Sequence, residues 1–145
     1  MTCASAGDCW AAGGLLSTGD SPPLIEHDAG SSWAIVSTPS PSPGVLTGVT
    51  CTSPRDCWAV GNTFNIQGDQ PLIERFVGSS WAIVSTASPS PGLANPSSSY
   101  LKGVTCTSPA DCWAVGDTLN IQGDQPLIEH FVGSSWAIVS TANPN

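Results

Sequence analysis

Residues 48–88 and 103–143 are one 41-residue unit written twice. The copies differ at Arg55/Ala110, Asn62/Asp117, Phe64/Leu119, Arg75/His130 and Ser88/Asn143. A more divergent copy opens the chain, with Cys3, Asp8-Cys9-Trp10-Ala11-Ala12-Gly13, Leu24-Ile25-Glu26-His27 and Gly30-Ser31-Ser32-Trp33 in the same order. A unit of this length is a supersecondary element that cannot bury its own faces, so the copies must cover one another. That limits the fold to a stack or ring of like parts.

Each part reads as strands. The short apolar runs are rich in Val, Ile, Trp and Thr, none keeps a helical period, and Gly and Pro interrupt every longer stretch. In the middle copy the expected strands are 46–51, 57–61, 71–77 and 81–86. They are separated by the turn 52–56, the polar loop 62–70 and the turn 78–80. This is a four-stranded antiparallel meander. The second and fourth strands are apolar on both sides, so each sheet is expected to be covered on both faces. Sheets packed face to face around an axis do this, and the repeat length is that of a propeller blade. A β-solenoid is the other architecture considered, but its repeats are usually shorter. The expected fold is all-β: three β-propeller blades, residues 1–43, 44–92 and 93–145, forming an incomplete ring. Pro/Ser connectors at 38–44 and 87–92 read as stiff, extended spacers. The seven residues that lengthen the second offset fall around 93–99.

Six cysteines occur as three Cys-x5-Cys pairs: Cys3/Cys9, Cys51/Cys57 and Cys106/Cys112. In an antiparallel hairpin the two members of a pair face each other, within reach of a disulfide. Free buried thiols or zinc ligation are the alternatives, but zinc wants four converging ligands and shorter spacings. Disulfides imply an extracellular or cell-surface setting. The chain begins inside the motif that elsewhere reads Gly-Val-Thr-Cys, with no leader ahead of it. It therefore reads as a fragment, or as a sequence whose start is misplaced.

The formal net charge is −8, with three basic residues, Arg55, Arg75 and Lys102. That leaves no basic patch to neutralise phosphates, which excludes nucleic acid as a partner and polybasic attachment to lipid. No apolar run is long enough to span a bilayer.

The motif order Leu-x-Gly-Val-x-Cys, Asp-Cys-Trp-Ala-Val-Gly, Leu-Ile-Glu, Gly-Ser-Ser-Trp resembles the repeats of bacterial secreted or surface β-propeller-like proteins. More remotely it is similar to the photosystem II assembly and stability factor family and to BNR/Asp-box propellers. There a Gly-Trp-Ala-Val-Gly strand precedes an Asp-Gly-Gly-x-x-Trp turn. Trp58 to Gly61 and Trp113 to Gly116 match the strand, while Ala12 replaces its Val in the first copy. Asp28 keeps the turn's Asp, and Phe76 and Phe131 replace it. The resemblance implies blade architecture and no particular activity.

Function is read accordingly as a non-catalytic extracellular or surface module, structural or for recognition, belonging to a larger propeller. Near-identical repeats supply the same residue several times, which suits multivalent contact better than an active site with distinct roles. The alternative is a glycan-processing hydrolase fragment of sialidase or glycosidase type. Two arginines and one tyrosine do not furnish a sialidase site. Glu26, Glu74 and Glu129 are equivalent copies expected on different blades, a poor acid/base pair. Expected partners are further repeats or a second copy, with a glycan or protein as ligand; no cofactor and no metal are expected. The six Trp read as packing between sheets. The position held by His27, Arg75 and His130 reads as solvent-facing, and Asp8, Asp56 and Asp111 as turn formers. The candidate ligand residues lie in the polar loops 62–70 and 117–125: Asn65, Gln67, Asp69, Asn120, Gln122 and Asp124. Their oxygens are of the type calcium takes, at a spacing that matches no known calcium loop.

Overall fold

The computed structural model describes residues 1–15, 21–41, 43–87 and 98–142. Most of the second connector, including the expected blade boundary at 92/93, falls outside them. The chain is all-β. The first sheet contains β1 (Thr2–Ser5), β2 (Asp8–Gly14), β3 (Pro23–Asp28) and β4 (Trp33–Val36). The second contains β5 (Gly44–Ser53), β6 (Asp56–Thr63), β7 (Gln70–Val77) and β8 (Ser80–Val84). The third contains β9 (Ser98–Ser108), β10 (Asp111–Asn120), β11 (Gly123–Val132) and β12 (Ser135–Ile138). Every sheet is an antiparallel meander in chain order.

Local chemistry accounts for the meander. Between β5 and β6 the turn is Pro54-Arg55, closed by the Ser53↔Asp56 pair. The Ser53 hydroxyl accepts the Arg55 amide at 3.3 Å, and Thr52 donates to the Asp56 carboxylate at 2.8 Å. The third sheet repeats this with Ser108, Ala110, Thr107 and Asp111. Cys51 opposes Cys57 in register, and all three expected disulfides are present. Each closes so small a loop that it restrains the unfolded chain by only about 2 kcal/mol. Between β7 and β8 a two-residue turn, Gly78-Ser79, puts Gly78 at φ 74°, a region glycine enters freely. The Ser79 amide donates back to the Val77 carbonyl at 2.9 Å across it.

The last glycine of Trp-Ala-Val-Gly has a separate cause. Thr47 is an extra residue in β5, so the register steps from Leu46↔Gly61 to Gly48↔Val60. The bulge drives the Val45 carbonyl oxygen to 1.9 Å from where a Gly61 side chain would begin. Gly116 meets the Tyr100 carbonyl in the same way at 1.7 Å. Only glycine fits opposite such a bulge.

Two cores follow from the stacking of the sheets. Each sheet presents a leading face to the next one and a trailing face to the one before. Trp10 and Ile25 lead from the first sheet onto Leu46, Val49, Cys57, Ala59, Leu72 and Trp81 of the second. Trp58, Val60 and Ile73 lead from the second onto Leu101, Cys112, Ala114, Leu127, Phe131 and Trp136 of the third. The two interfaces are thus one interface made twice.

The gap between sheets is graded. At the first strands β5 and β9 run so close that a Cβ on Gly48 would sit 3.1 Å from the Gly103 Cα. At the far edge it takes ring against ring to bridge: Trp10 meets Trp81 edge-on at 5.5 Å, and Trp58 meets Trp136 at 5.3 Å. Such pairs add about 0.5–1.5 kcal/mol beyond their area.

The expectation for the fourth strands needs correction. They are only partly covered: in β8 Trp81 is buried on one face and Val84 is half-buried against the other core, while Ala82 and Ile83 stand exposed, and β12 likewise buries its Trp136 and exposes Ala137 and Ile138. At the wide end of the gap the indole and the half-buried Val84 and Val36 reach the cores, and the shorter or outlying side chains do not.

Candidate functional site

The loops chosen from sequence as a ligand surface differ between copies. In the second sheet Asn65-Ile66-Gln67-Gly68 is a tight turn: the Gly68 amide donates to the Asn65 carbonyl at 3.0 Å, and the Asn65 side-chain oxygen accepts the Gln67 amide at 3.0 Å. Asp69 accepts the Asn65 amide at 3.3 Å. In the third sheet Asn120 accepts the Gln122 amide at 2.7 Å, and the ladder continues through Asn120↔Gly123 and Leu119↔Asp124. Residues 117–125 are therefore mostly strand joined by a two-residue turn, not a long polar loop. The cause is tertiary. In the second copy the Phe64 amide donates to the Pro43 carbonyl, and Asp69 is bonded through its amide to the Ser98 hydroxyl and through its carbonyl to the Ser99 amide. The bonds to Ser98 and Ser99 hold Asp69 out of the ladder. Asn65 and Asp69, with their counterpart Asn120, spend hydrogen-bonding capacity on shaping their own turns. Among the described residues no three His, Cys, Asp or Glu gather as a metal-binding group.

A repeated constellation that sequence reasoning did not assemble lies on the leading faces. His27 stacks on Trp10 at 3.9 Å between ring centres, and its Nε2 lies 2.7 Å from Asp8. His130 stacks on Trp113 at 3.7 Å and bonds Asp111 at 2.6 Å. In the middle copy Arg75 lies over Trp58 at 4.6 Å and grips Asp56 with Nε at 2.8 Å and Nη2 at 3.3 Å. The position is therefore not simply solvent-facing: it is half-buried between an indole and a carboxylate. The Asp is both a turn former and the anchor of this His or Arg side chain. The signal was present in the sequence, since His and Arg share a planar head with N–H groups that stacks on aromatic rings and can bond a carboxylate. The Thr107 hydroxyl and then the His130 ring hold the Asp111 carboxyl below its ordinary range.

The trailing faces carry buried carboxyls. Glu74 and Glu129 are fully buried at equivalent positions on successive sheets. Ser40, held by Thr38 at 2.8 Å, donates its hydroxyl to Glu74. The connector thus also reaches into the gap. Burial raises the Glu74 carboxyl, with Ser40 opposing. Burial pushes Glu129 up to about 7, and the Ala87 backbone amide opposes it. Glu26, Glu74 and Glu129 stand on three different sheets, so they do not form an acid/base pair across one cleft. Tertiary packing alone reveals the burial of Glu74 and Glu129; in sequence they sit in an ordinary Leu-Ile-Glu strand.

Of the six Trp, Trp10, Trp58, Trp81 and Trp136 are buried between sheets. Trp113 lies on the leading face of the third sheet, and Trp33 on the trailing face of the first is 43% exposed. Compared with known families, curated proteins and solved structures, the chain matches none.

Proposed function

We propose that the chain is a non-catalytic extracellular or cell-surface repeat module, structural or for recognition, and part of a larger β-propeller. The observation that carries this reading is the interface made twice. The same residues in the same roles join sheet to sheet, and the gap narrows toward the first strands, as sheets fanned about an axis require. Three disulfides on three short hairpins are compatible with an oxidising setting. Repetition also spreads polar groups evenly: each Glu and each set of Asp, His or Arg, and Trp recurs on its own sheet, which favours repeated weak contacts over one reaction centre. A panel of fluorogenic glycosides, assayed with the wild type and with a Glu74→Gln/Glu129→Gln double variant, tests the non-catalytic part. Equal background from both proteins is expected. Turnover in the wild type that the double variant loses would establish a hydrolase instead. For recognition, a glycan array read with monomeric and streptavidin-clustered protein should give signal that rises steeply on clustering.

A further inference from the structure

The two ends of the stack are the two unmatched halves of the interface already formed twice within it. On the leading face of the third sheet, Trp113 stands with His130 stacked on it in the arrangement Trp10 and His27 adopt beneath their neighbour. Beside it Val115 is 48% exposed, whereas its counterpart Val60 is fully buried. On the trailing face of the first sheet, Trp33 is 43% exposed, whereas Trp81 and Trp136 are each 5% exposed. Leu24 and Ala11 are likewise half-covered where Leu72 and Ala59 are buried. We propose that these two faces dock on each other between two copies of this chain, head to tail, with Trp113 and Val115 of one copy packing against Trp33 and Leu24 of the other.

Two features select a second copy as the occupant. Shape is the first: the partner of each face already exists on the opposite end, built from the same residue types at the same strand positions. Polar complementarity is the second. Inside the chain Arg75 lies 5.8 Å from the ring centre of Phe131. By repeat equivalence His130 then faces the position of Asp28, so the open interface sets a histidine against a carboxylate. A contact between unlike faces either closes into a ring or propagates. In both cases it joins unlike ends and is blocked by damage to either one. The inference rests on packing and stands whether or not the module recognises a ligand.

The test is native mass by light scattering on a size-exclusion column over a range of loading concentrations. It compares the wild type with Val115→Glu and Trp33→Glu, each introducing a charge at a position that is exposed in the single chain. Near-ultraviolet circular dichroism checks that each variant keeps its buried Trp packing. The wild type is expected at twice the 14.8 kDa of the chain or above, and each variant at the single-chain mass. An equimolar mixture of the two variants should recover a dimer, because each supplies the intact face the other lacks. A monomeric wild type, or association that survives either substitution, overturns the proposal. So does a mixture of folded variants that stays monomeric.

Discussion

Replacing Glu129 by Gln removes a charge that the fold holds away from water. Glu129 is fully buried on the trailing face of the third sheet, and its carboxyl is pushed from 4.5 up to about 7. As pH rises the unfolded chain loses this proton first, near 4.5, and the folded chain loses it near 7. Between those values the folded state binds more protons, so stability falls as pH rises through the window and levels off above about 8. The full shift corresponds to about 3.4 kcal/mol at 1.36 kcal/mol per unit. Water penetration and relaxation around the carboxylate bring the expected effect nearer to about 2 kcal/mol. Gln has the same shape and does not titrate. Glu129→Gln should therefore be close to wild type at pH 5 and about 2 kcal/mol more stable at pH 8. The assay is urea unfolding followed by Trp fluorescence at intervals between pH 5 and 8, above the sequence pI of about 4.1. Other carboxylates titrate in both proteins, so the difference between them isolates this group. Stability curves that run parallel across the whole range would refute the reasoning.

Further outcomes follow from the same packing. Gly61→Ala sets a methyl against the Val45 carbonyl and should lower stability by at least about 3 kcal/mol. Gly13→Ala, with nothing within 4 Å of the added atom, should change it by less than about 1 kcal/mol; thermal melts of the pair separate the two. Trp58→Ala should cost about 3–5 kcal/mol in urea titration, because it empties the ring contact with Trp136 and Phe131. Arg75→His restores the residue type of the other two copies and should cost less than about 1 kcal/mol, whereas Asp56→Ala strands the half-buried cation and should cost more; matched denaturation curves decide the order. Reduction of the three disulfides should lower the urea midpoint, with mass mapping of non-reduced peptides showing the pairs Cys3–Cys9, Cys51–Cys57 and Cys106–Cys112.

The sequence by itself determined the meander and its cross-links. Turn residues such as Pro54, Ser53 and Gly78 act within a few positions of themselves, and Cys51 and Cys57 are set opposite each other by the hairpin they flank. Strand count, sheet order and the disulfide pairs were legible because each depends on short-range geometry. What the strands face was not legible. The same Asn-Ile-Gln-Gly-Asp-Gln string is a turn pinned to Ser98 and Ser99 in one sheet and a ladder in the next. The same Glu is half-covered in the first sheet and buried in the other two. The same Trp is core at position 81 and surface at position 33. Identical side chains received different environments because a repeat contacts only its neighbours, and the first and last repeats each lack one. That asymmetry belongs to the stack, not to any 41-residue unit, so only the tertiary structure decides it.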